Sequence, residues 1–342
     1  MKKSVLAFAA LSLVSGLAAA QSSVTVYGIM DLAVRNLKGA DSLNQLVNEG
    51  RSASRLGFRG VEDIGGGLKA GFNIEHGVVP DTGEAGSPFW GRRATVSLMG
   101  SFGEIRLGRH KLSDRTIVDD FDPFGTSGMA SIDRIYSSLS GGYVNRSDNQ
   151  IAYYLPAMGS FYGSFDTSLG EGTDANKANT FRLGYKDKAL HLSAAYGQHG
   201  SGNKLKTGTL GAAYDFGSFA LSGMYTKSER GALDQDIINL GATVKMGQGK
   251  LILSFAKADG NATGTGAIAG KQINDAKLLA LGYDYAMSKR TTLYTTVAKV
   301  DNNGATTFSL GGTKGVAAPR AATATSNAGD STGYEVGIRH SF

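Results

Sequence analysis

Apolar and polar residues alternate along most of this chain, and clusters of Gly, Asn, Asp and Ser separate the alternating runs. In one such run, apolar side chains stand at every second position: Leu68, Ala70, Phe72 and Ile74. A period of two places these side chains on one face of a β-strand, and no stretch keeps a helical period over three turns. The pattern therefore predicts an all-β protein whose strands are apolar on one face and polar on the other.

The connections between the alternating runs come in two sizes, and short and long ones follow each other along the chain. The short ones are at residues 63–67, 100–103, 156–159, 186–188, 215–217, 247–249 and 287–290. The longer, polar ones are at about 37–53, 79–90, 111–147, 170–178, 200–205, 229–235, 260–274 and 301–330. Transmembrane barrels have this rhythm, with short turns at one rim, long loops at the other and an even number of strands. Counting the runs gives about sixteen strands, which predicts a transmembrane antiparallel β-barrel.

The N-terminus has the features of a secretory signal peptide. Two lysines follow Met1, residues 4–14 are apolar, and residues 18–20 are three alanines that suit cleavage before Gln21. The apolar run is too short for the roughly 20 residues that a membrane-spanning helix needs. We therefore expect residues 1–20 to be a signal peptide and residues 21–342 to be the barrel.

Composition and charge exclude several other classes of protein. The chain has 49 Gly and 5 Pro, which suits a sheet with many tight turns and few interrupted hydrogen-bond ladders. It has no Cys, which excludes disulfides and cysteine-based metal sites. Its formal charge of +6 falls to about +4 when Lys2 and Lys3 leave with the signal peptide. The cationic residues are spread out and do not form the dense runs of a nucleic-acid interface, so no nucleic-acid partner is expected.

Several segments together resemble the general porins of Gram-negative bacteria, of the beta-proteobacterial type. These segments are residues 21–31 (QSSVTVYGIMD), 54–70 (SRLGFRGVEDIGGGLKA), 103–109 (GEIRLGR), 281–290 (LGYDYAMSKR) and 337–342 (GIRHSF). Each motif is weak alone, but their order and spacing are specific. The resemblance implies a homotrimer of sixteen-stranded barrels in the outer membrane. Each barrel would be a water-filled channel for ions and small hydrophilic solutes, in contact with outer-membrane lipid and lipopolysaccharide.

The resemblance also implies that the long loop after Arg109 folds into the barrel and constricts the pore. This loop contains the segment DDFDPFGT at residues 119–126, which is similar to an acidic Pro-Phe-Gly segment of the family. Here the acid falls one place earlier, at Asp122. It therefore stays open which of Asp119, Asp120 and Asp122 lines the lumen, the interior of the barrel.

The alternation assigns several arginines to the lumen. An arginine is tolerated on a wet inner face, whereas at mid-membrane on the lipid face it would cost about 2–4 kcal/mol. Since Leu56 and Phe58 should face lipid, Arg55 and Arg59 should face inward. Glu75 is inward by the same argument.

Two further assignments are less direct. Ile151 and Tyr153 should face lipid, so Arg146 lies on the inner side if its strand extends that far. The alternation around Val96 turns Arg93 inward and Arg92 outward, whereas the family resemblance favours Arg92, which would need a bulge or a strand end there. Both arginines stay candidates.

The resulting hypothesis is a constriction with a basic wall facing an acidic loop, and such opposed charges select ions. With a net positive chain, we expect a preference for anions. The alternative is a substrate-specific outer-membrane channel of the same fold, which would show saturable block by its solute. Enzymatic function is not expected, because no motif places a nucleophile beside a base. The five histidines lack metal-ligand spacing, and no cofactor or metal is expected.

The last nine residues, from Tyr334 to Phe342, form an alternating strand that ends on an aromatic residue. We expect this strand to close the barrel against the strand that starts near Ser22. By the family resemblance, Phe342 and Tyr334 would be an assembly signal that the outer-membrane insertion machinery recognises.

Overall fold

The computed structural model describes residues 23–136, 139, 144–172, 177–311 and 319–342. The predicted signal peptide lies outside these residues. The strands are β1 Ser23–Lys38, β2 Ser42–Asn48, β3 Arg55–Gly65, β4 Leu68–Val79, β5 Glu84–Ala85, β6 Arg93–Gly100, β7 Gly103–Lys111, β8 Arg146–Ser147, β9 Gln150–Tyr154, β10 Phe161–Ser168, β11 Ala178–Lys186, β12 Leu190–His199, β13 Leu205–Asp215, β14 Phe219–Arg230, β15 Leu233–Met246, β16 Gly249–Gly260, β17 Ala276–Ala286, β18 Thr291–Asn302 and β19 Ser331–Ser341.

These strands form one closed antiparallel barrel. Neighbouring strands pair around the ring, and β1 closes it by pairing with β19, where Ile29 lies opposite Ser341. β2 and β3 both pair with β1, and β8 and β9 both pair with β7, so each couple is one interrupted barrel strand. β5 is a two-residue ribbon on β4, outside the ring. The barrel therefore has sixteen strands, which confirms the predicted fold class.

The period-two pattern sorts side chains between the two faces of the wall. On β1, Val24, Val26 and Val34 are 54–65% exposed on the outer face, whereas Asp31 and Arg35 are buried on the inner face. An apolar outer face and a polar inner face are what a barrel wall needs when lipid is outside and water is inside. No helix among the described residues is long and apolar enough to cross a membrane.

Two predicted loops are wrong because the strands extend beyond the apolar part of the wall. The segment predicted as a loop at 37–53 is largely strand, since β1 runs to Lys38, β2 starts at Ser42, and only residues 49–54 interrupt the pairing. Similarly, the predicted loop at 229–235 is reduced to residues 231–232 between β14 and β15. Residues 229–235 are mostly polar on both faces. In the first segment Leu37 and Leu43 face inward against the buried loop, while Asn36 and Asn44 take outer positions, so the alternation is inverted although the ladder continues. Asn36 Nδ2, for example, donates to Asn44 Oδ1 across the strands at 2.7 Å.

The long loop after β7 folds into the barrel. Its helix α1 spans Ser113–Phe121, and a 3₁₀ turn follows at Ile132–Arg134; a second 3₁₀ turn lies at Gly266–Ile268 in another loop. Apolar loop residues form one buried cluster with the inner wall of β12 and β14–β18. Its members on the loop are Ile117, Val118, Phe121, Phe124, Met129, Ala130, Ile132 and Ile135. The loop therefore covers one side of the lumen and leaves the passage along the opposite wall.

Glycines on the inner wall make this docking possible. A Cβ atom added at Gly211 would lie 2.3 Å from the ring of Phe121, and one at Gly282 would lie 2.7 Å from the ring of Phe124. Gly241 receives Pro123 in the same way, at 2.6 Å. Part of the high glycine content therefore creates slots for the loop, in addition to the tight turns that the sequence suggested.

Candidate functional site

A polar cavity of about 350 Å³ lies between the inward loop and the barrel wall. The wall contributes Glu49, Arg51, Ser52, Ala53, Arg55, Arg92, Lys111, Asn145 and Arg146, and the loop contributes Asp119, Gly125, Thr126 and Ser127. The lining therefore carries five cationic side chains and two carboxylates. Three of the predicted arginines and one of the three predicted loop acids meet here.

Glu75 holds two of these arginines next to each other. Its carboxylate accepts a hydrogen bond from Arg92 Nε at 2.6 Å and lies 4.0 Å from an Arg55 amino group. Tyr27 donates its hydroxyl to the other carboxylate oxygen at 3.0 Å. Arg55 also donates to the carbonyl of Ala53 and the hydroxyl of Ser52, both at 2.8 Å. These contacts fix both guanidinium groups at the edge of the cavity.

Arg92 and Arg93 both contact inner-wall residues, for different reasons. β6 begins at Arg93, whose strand-register partner is Glu75, so Arg93 faces inward by strand geometry. Arg92 precedes the strand, so the alternation does not determine its direction, and its side chain turns toward Glu75. The strand end that the family resemblance required is present. Arg92 lines the 350 Å³ cavity, whereas Arg93 lines a separate cavity nearer the short turns.

The alternation argument for Arg146 fails, although Arg146 lines the cavity. Its strand is interrupted at residues 148–149, where Asn149 has φ of +54°. Arg146 itself is the strand-register partner of Lys111 on β7. An irregularity of this kind shifts the phase of alternation, so parity counted from Ile151 does not extend to Arg146. The side chain is held instead by the segment before β6, because Arg146 Nε donates to the Arg92 carbonyl at 2.9 Å.

The three candidate acids of the loop occupy different environments. Asp119 lines the cavity and pairs with Lys111, whose Nζ is 2.5 Å from Oδ2. Asp120 faces the other way and pairs with Arg182 on β11. Asp122 is 4% exposed and accepts hydrogen bonds from the backbone amides of Phe124 and Ile132. Burial raises the pKa of its carboxyl to about 7, which marks a dry environment away from the passage.

Arg51 was not predicted from the sequence, because tertiary contacts alone bring it to the cavity. Asp31 on β1 accepts the backbone amides of Gly50, Arg51 and Ser52, which shapes the interruption between β2 and β3. The Arg51 guanidinium then forms a two-bond pair with Asp284 on β17, at 3.1 and 3.0 Å. It also lies 5.0 Å above the ring of Phe124, and so ties the loop to the wall.

Arg59 and Arg93 belong to a second, smaller group on the inner wall, closer to the short turns. They line a cavity of about 270 Å³ together with Arg106 and Glu104. Arg106 pairs with Glu104 at 2.9 Å, and Arg59 lies 5.2 Å from the Tyr27 ring. Within the described part of the chain, no carboxylate is at ion-pair distance from Arg59 or Arg93. The structure therefore separates these two arginines from the loop cavity.

Carboxylates anchor the start of the loop. Asp166 on β10 accepts the Ser113 amide and the Thr180 hydroxyl, both at 2.7 Å, and Asp114 accepts a hydrogen bond from His199 Nε2 at 2.7 Å. These groups are almost fully buried. In the part of the chain that the structure covers, no group of three or more His, Cys, Asp or Glu residues could hold a metal ion. The buried His199 therefore fastens the first turn of α1 to the wall.

Comparison with known proteins gives consistent matches. A family model described as Gram-negative porin matches residues 7–306. The chain is 36% identical to outer membrane porin protein 32 of Delftia acidovorans, with 100% of both chains covered. It is 29% identical to an outer membrane porin protein of Bordetella pertussis, covering 86% of this chain and 93% of the relative. A solved structure described as an anion-selective porin from Comamonas acidovorans is 33% identical and superposes with a TM-score of 0.79, covering 94% of this chain and 100% of that one.

Proposed function

Because this chain belongs to the Gram-negative porin family and is an outer-membrane channel for passive diffusion, we propose that its constriction prefers anions. The constriction is the 350 Å³ cavity between the inward loop and the basic wall. Ions and small hydrophilic solutes pass through it, and Arg55, Arg92 and Arg146 set the sign of the selected charge.

The observation that carries this proposal is the imbalance of charge around the cavity. Five cationic side chains face two carboxylates in the lining. When Glu75 and Asp284 are added, which pair with Arg92 and Arg51, the cationic groups still outnumber the carboxylates by one. A narrow passage lined by one sign of charge concentrates ions of the opposite sign. The similarity to a solved anion-selective porin supports the same sign.

Arg59 and Arg93 take a secondary place in this proposal. They lie on the inner wall beyond the cavity, toward the short turns, which are periplasmic in barrels of this kind. Anions that leave the constriction would pass them next. Asp122 is buried away from the passing ion, and Asp120 is paired with Arg182 on the wall, so both fasten the loop.

Reversal potentials of the purified channel in planar bilayers test the proposal. With a salt gradient across the bilayer, we expect stable ion-conducting pores and a reversal potential whose sign shows that anions permeate more readily than cations. The physical reason is the cationic excess at the narrowest point. A cation-selective reversal potential would contradict the proposed preference, and absence of conducting pores would contradict a channel altogether.

We further propose that the protein assembles as a homotrimer through the insertion machinery, with Phe342 and Tyr334 as the assembly signal. Family membership supports the trimer, and the closing contact supports the role of Phe342. The Phe342 backbone exchanges two hydrogen bonds of 3.1 Å with Gly28, and its ring lies where a Gly28 side chain would be. Phe342 therefore extends the pairing of β19 with β1 and covers Gly28 with its ring.

Replacing Phe342 by alanine should lower the yield of folded trimer in the outer membrane, because the joint loses its aromatic contact. The yield is measured by native mass spectrometry of detergent-extracted protein. Channels that do assemble should keep wild-type conductance, since the Phe342 ring lies over Gly28 on the outer face of the wall and not in the lumen. Replacement of Phe102, an exposed aromatic residue in a short turn, is the control. An unchanged yield for the Phe342 variant would exclude the assembly role.

A further inference from the structure

The cavity of about 270 Å³ that lies nearer the short turns has a lining unlike that of the constriction. Three arginines, Arg59, Arg93 and Arg106, line it together with Val61 and Met99. We call this space the second cavity. Its volume is several times the roughly 30 Å³ that one water molecule occupies in the liquid, so it has room for a small organic anion in place of several waters.

Val61 and Met99 form an apolar floor in the second cavity. A Cβ atom added at Gly71 would lie 2.9 Å from Met99 Cε and 3.8 Å from a Val61 methyl group, so both side chains lie over this glycine. Gly71 is the register partner of Val61 on β3 and shares the inward parity of Glu75 on β4. Val61 is 50% exposed. In a water-filled lumen, such apolar surface favours a ligand with an apolar body, because the ligand removes it from water.

The constriction has no comparable floor. Among the described residues that line it, Ala53 is the one apolar side chain, and the others are polar, charged or glycine. Both cavities present cationic groups, so a chloride ion is attracted to either of them. An organic anion can gain additional free energy from apolar contact in the second cavity.

Two guanidinium groups of the second cavity lie on tyrosine rings. Arg106 lies 4.1 Å from the centroid of the Tyr154 ring and donates to its hydroxyl at 2.7 Å. Arg59 lies 5.2 Å from the Tyr27 ring. Stacking on an aromatic face holds a guanidinium in place while N–H groups at its edge can still donate. The cationic side of the cavity is therefore fixed before a ligand arrives.

The arginines differ in how far they are already neutralised. Glu104 is the one carboxylate among the described residues of the lining, and it accepts hydrogen bonds from Arg106 at 2.9 Å and from Ser97 at 2.6 Å. Arg59 and Arg93 have no carboxylate at ion-pair distance in the part of the chain that the structure describes. Two guanidinium groups therefore remain for an incoming carboxylate, which an arginine can bind through two parallel N–H bonds.

We propose that the second cavity binds aromatic carboxylates, with Arg59 and Arg93 on the carboxylate and Val61 and Met99 against the ring. This inference rests on the proposed anion preference, because an aromatic acid from outside passes the constriction before it reaches the second cavity. A planar ring suits the floor, since a methionine side chain adapts its shape and makes favourable contacts with aromatic rings. Permeation requires that the ligand also leaves, so binding reduces the current reversibly.

Block of the chloride current by benzoate tests the proposal on the intact purified channel in planar bilayers. Benzoate should block saturably, with half-block at a concentration at least about tenfold lower than for acetate, which has the same charge without the ring. Benzyl alcohol, which has the ring without the charge, should not block. Equal potency of benzoate and acetate would overturn the aromatic ligand, and equal potency of benzyl alcohol would overturn the carboxylate contact.

Variants of the floor locate the site. Val61→Thr/Met99→Gln keeps the approximate size of both side chains but makes the floor polar. It should lose the advantage of benzoate over acetate, while the chloride conductance and the reversal potential stay at their wild-type values. The matched variant Val61→Ile/Met99→Leu keeps the floor apolar and should retain the advantage. An unchanged advantage in the polar variant would overturn the site.

The arginine pair and the reversal potential complete the test. Arg59→Gln/Arg93→Gln should weaken the block by benzoate at least about tenfold, and an unchanged block would overturn the role of these arginines. An anion-selective wild type that benzoate does not block preferentially would overturn the second cavity alone. A cation-selective wild type would instead overturn the anion preference on which this inference rests.

Discussion

Replacing Arg55, Arg92 and Arg146 together by glutamine is expected to convert the channel from anion preference to cation preference. The change removes three of the five cationic side chains around the cavity, and the two that remain are already paired, Arg51 with Asp284 and Lys111 with Asp119. A unit charge about 4 Å from an ion contributes about 1 kcal/mol even at the dielectric constant of water. Salt screening reduces each contribution, and a net change of about 1.4 to 2.8 kcal/mol from the three charges together alters the anion-to-cation permeability ratio by about tenfold to a hundredfold.

The measurement is the reversal potential in a salt gradient across a planar bilayer. Asp119→Asn should move it in the opposite direction, toward stronger anion preference, because a carboxylate leaves the same cavity. The charge-matched control replaces three outer lysines, Lys206, Lys227 and Lys299, by glutamine and should leave the reversal potential where it is. If the triple arginine variant keeps the wild-type value, these arginines do not determine selectivity.

The fold could be predicted from the sequence because a barrel wall imposes a strict period of two. Val24 and Val26 had to be on one face and Tyr27 on the other for the wall to separate lipid from water. The prediction failed where that requirement ends. Around Asn36 and Asn44 the outer positions are polar and the inner ones, Leu37 and Leu43, are apolar, which inverts the pattern. Residues 229–235 are mostly polar on both faces, so in neither segment could the alternation show that the strands continue.

The site was accessible to the same argument only where a strand is regular. Arg55 and Arg59 lie opposite Ile29 and Thr25 on the inner face, in agreement with the alternation. Arg92 lies before a strand and Arg146 lies beyond an irregularity, so parity could not place either of them. Arg51 reaches the cavity through Asp284, a residue more than two hundred positions away. Contacts of that range leave no local pattern in the sequence.

The loop position depends on glycine slots, which leads to a second large expected effect. The double variant Gly211→Ala/Gly282→Ala adds two Cβ atoms at 2.3 and 2.7 Å from the rings of Phe121 and Phe124. Overpacking of this kind costs about 1–3 kcal/mol per site. The strands are held by the hydrogen bonds of the barrel, so we expect the loop to relieve the steric overlap by moving off the wall, toward the basic side of the lumen.

We therefore expect the double variant to unfold at a lower temperature and to have a smaller, noisier single-channel conductance, since the displaced loop narrows the cavity. The matched control is Gly208→Ala/Gly223→Ala on β13 and β14, where the added Cβ atoms have their nearest contacts at 3.9 and 3.6 Å. Alanine is favoured over glycine inside a strand by about 0.5–1 kcal/mol, so the control should be as stable as the wild type or slightly more stable. If both double variants conduct like the wild type, the slots do not set the pore size. The constriction would then depend on the polar anchors of α1, with Asp114 and His199 as the first pair to replace.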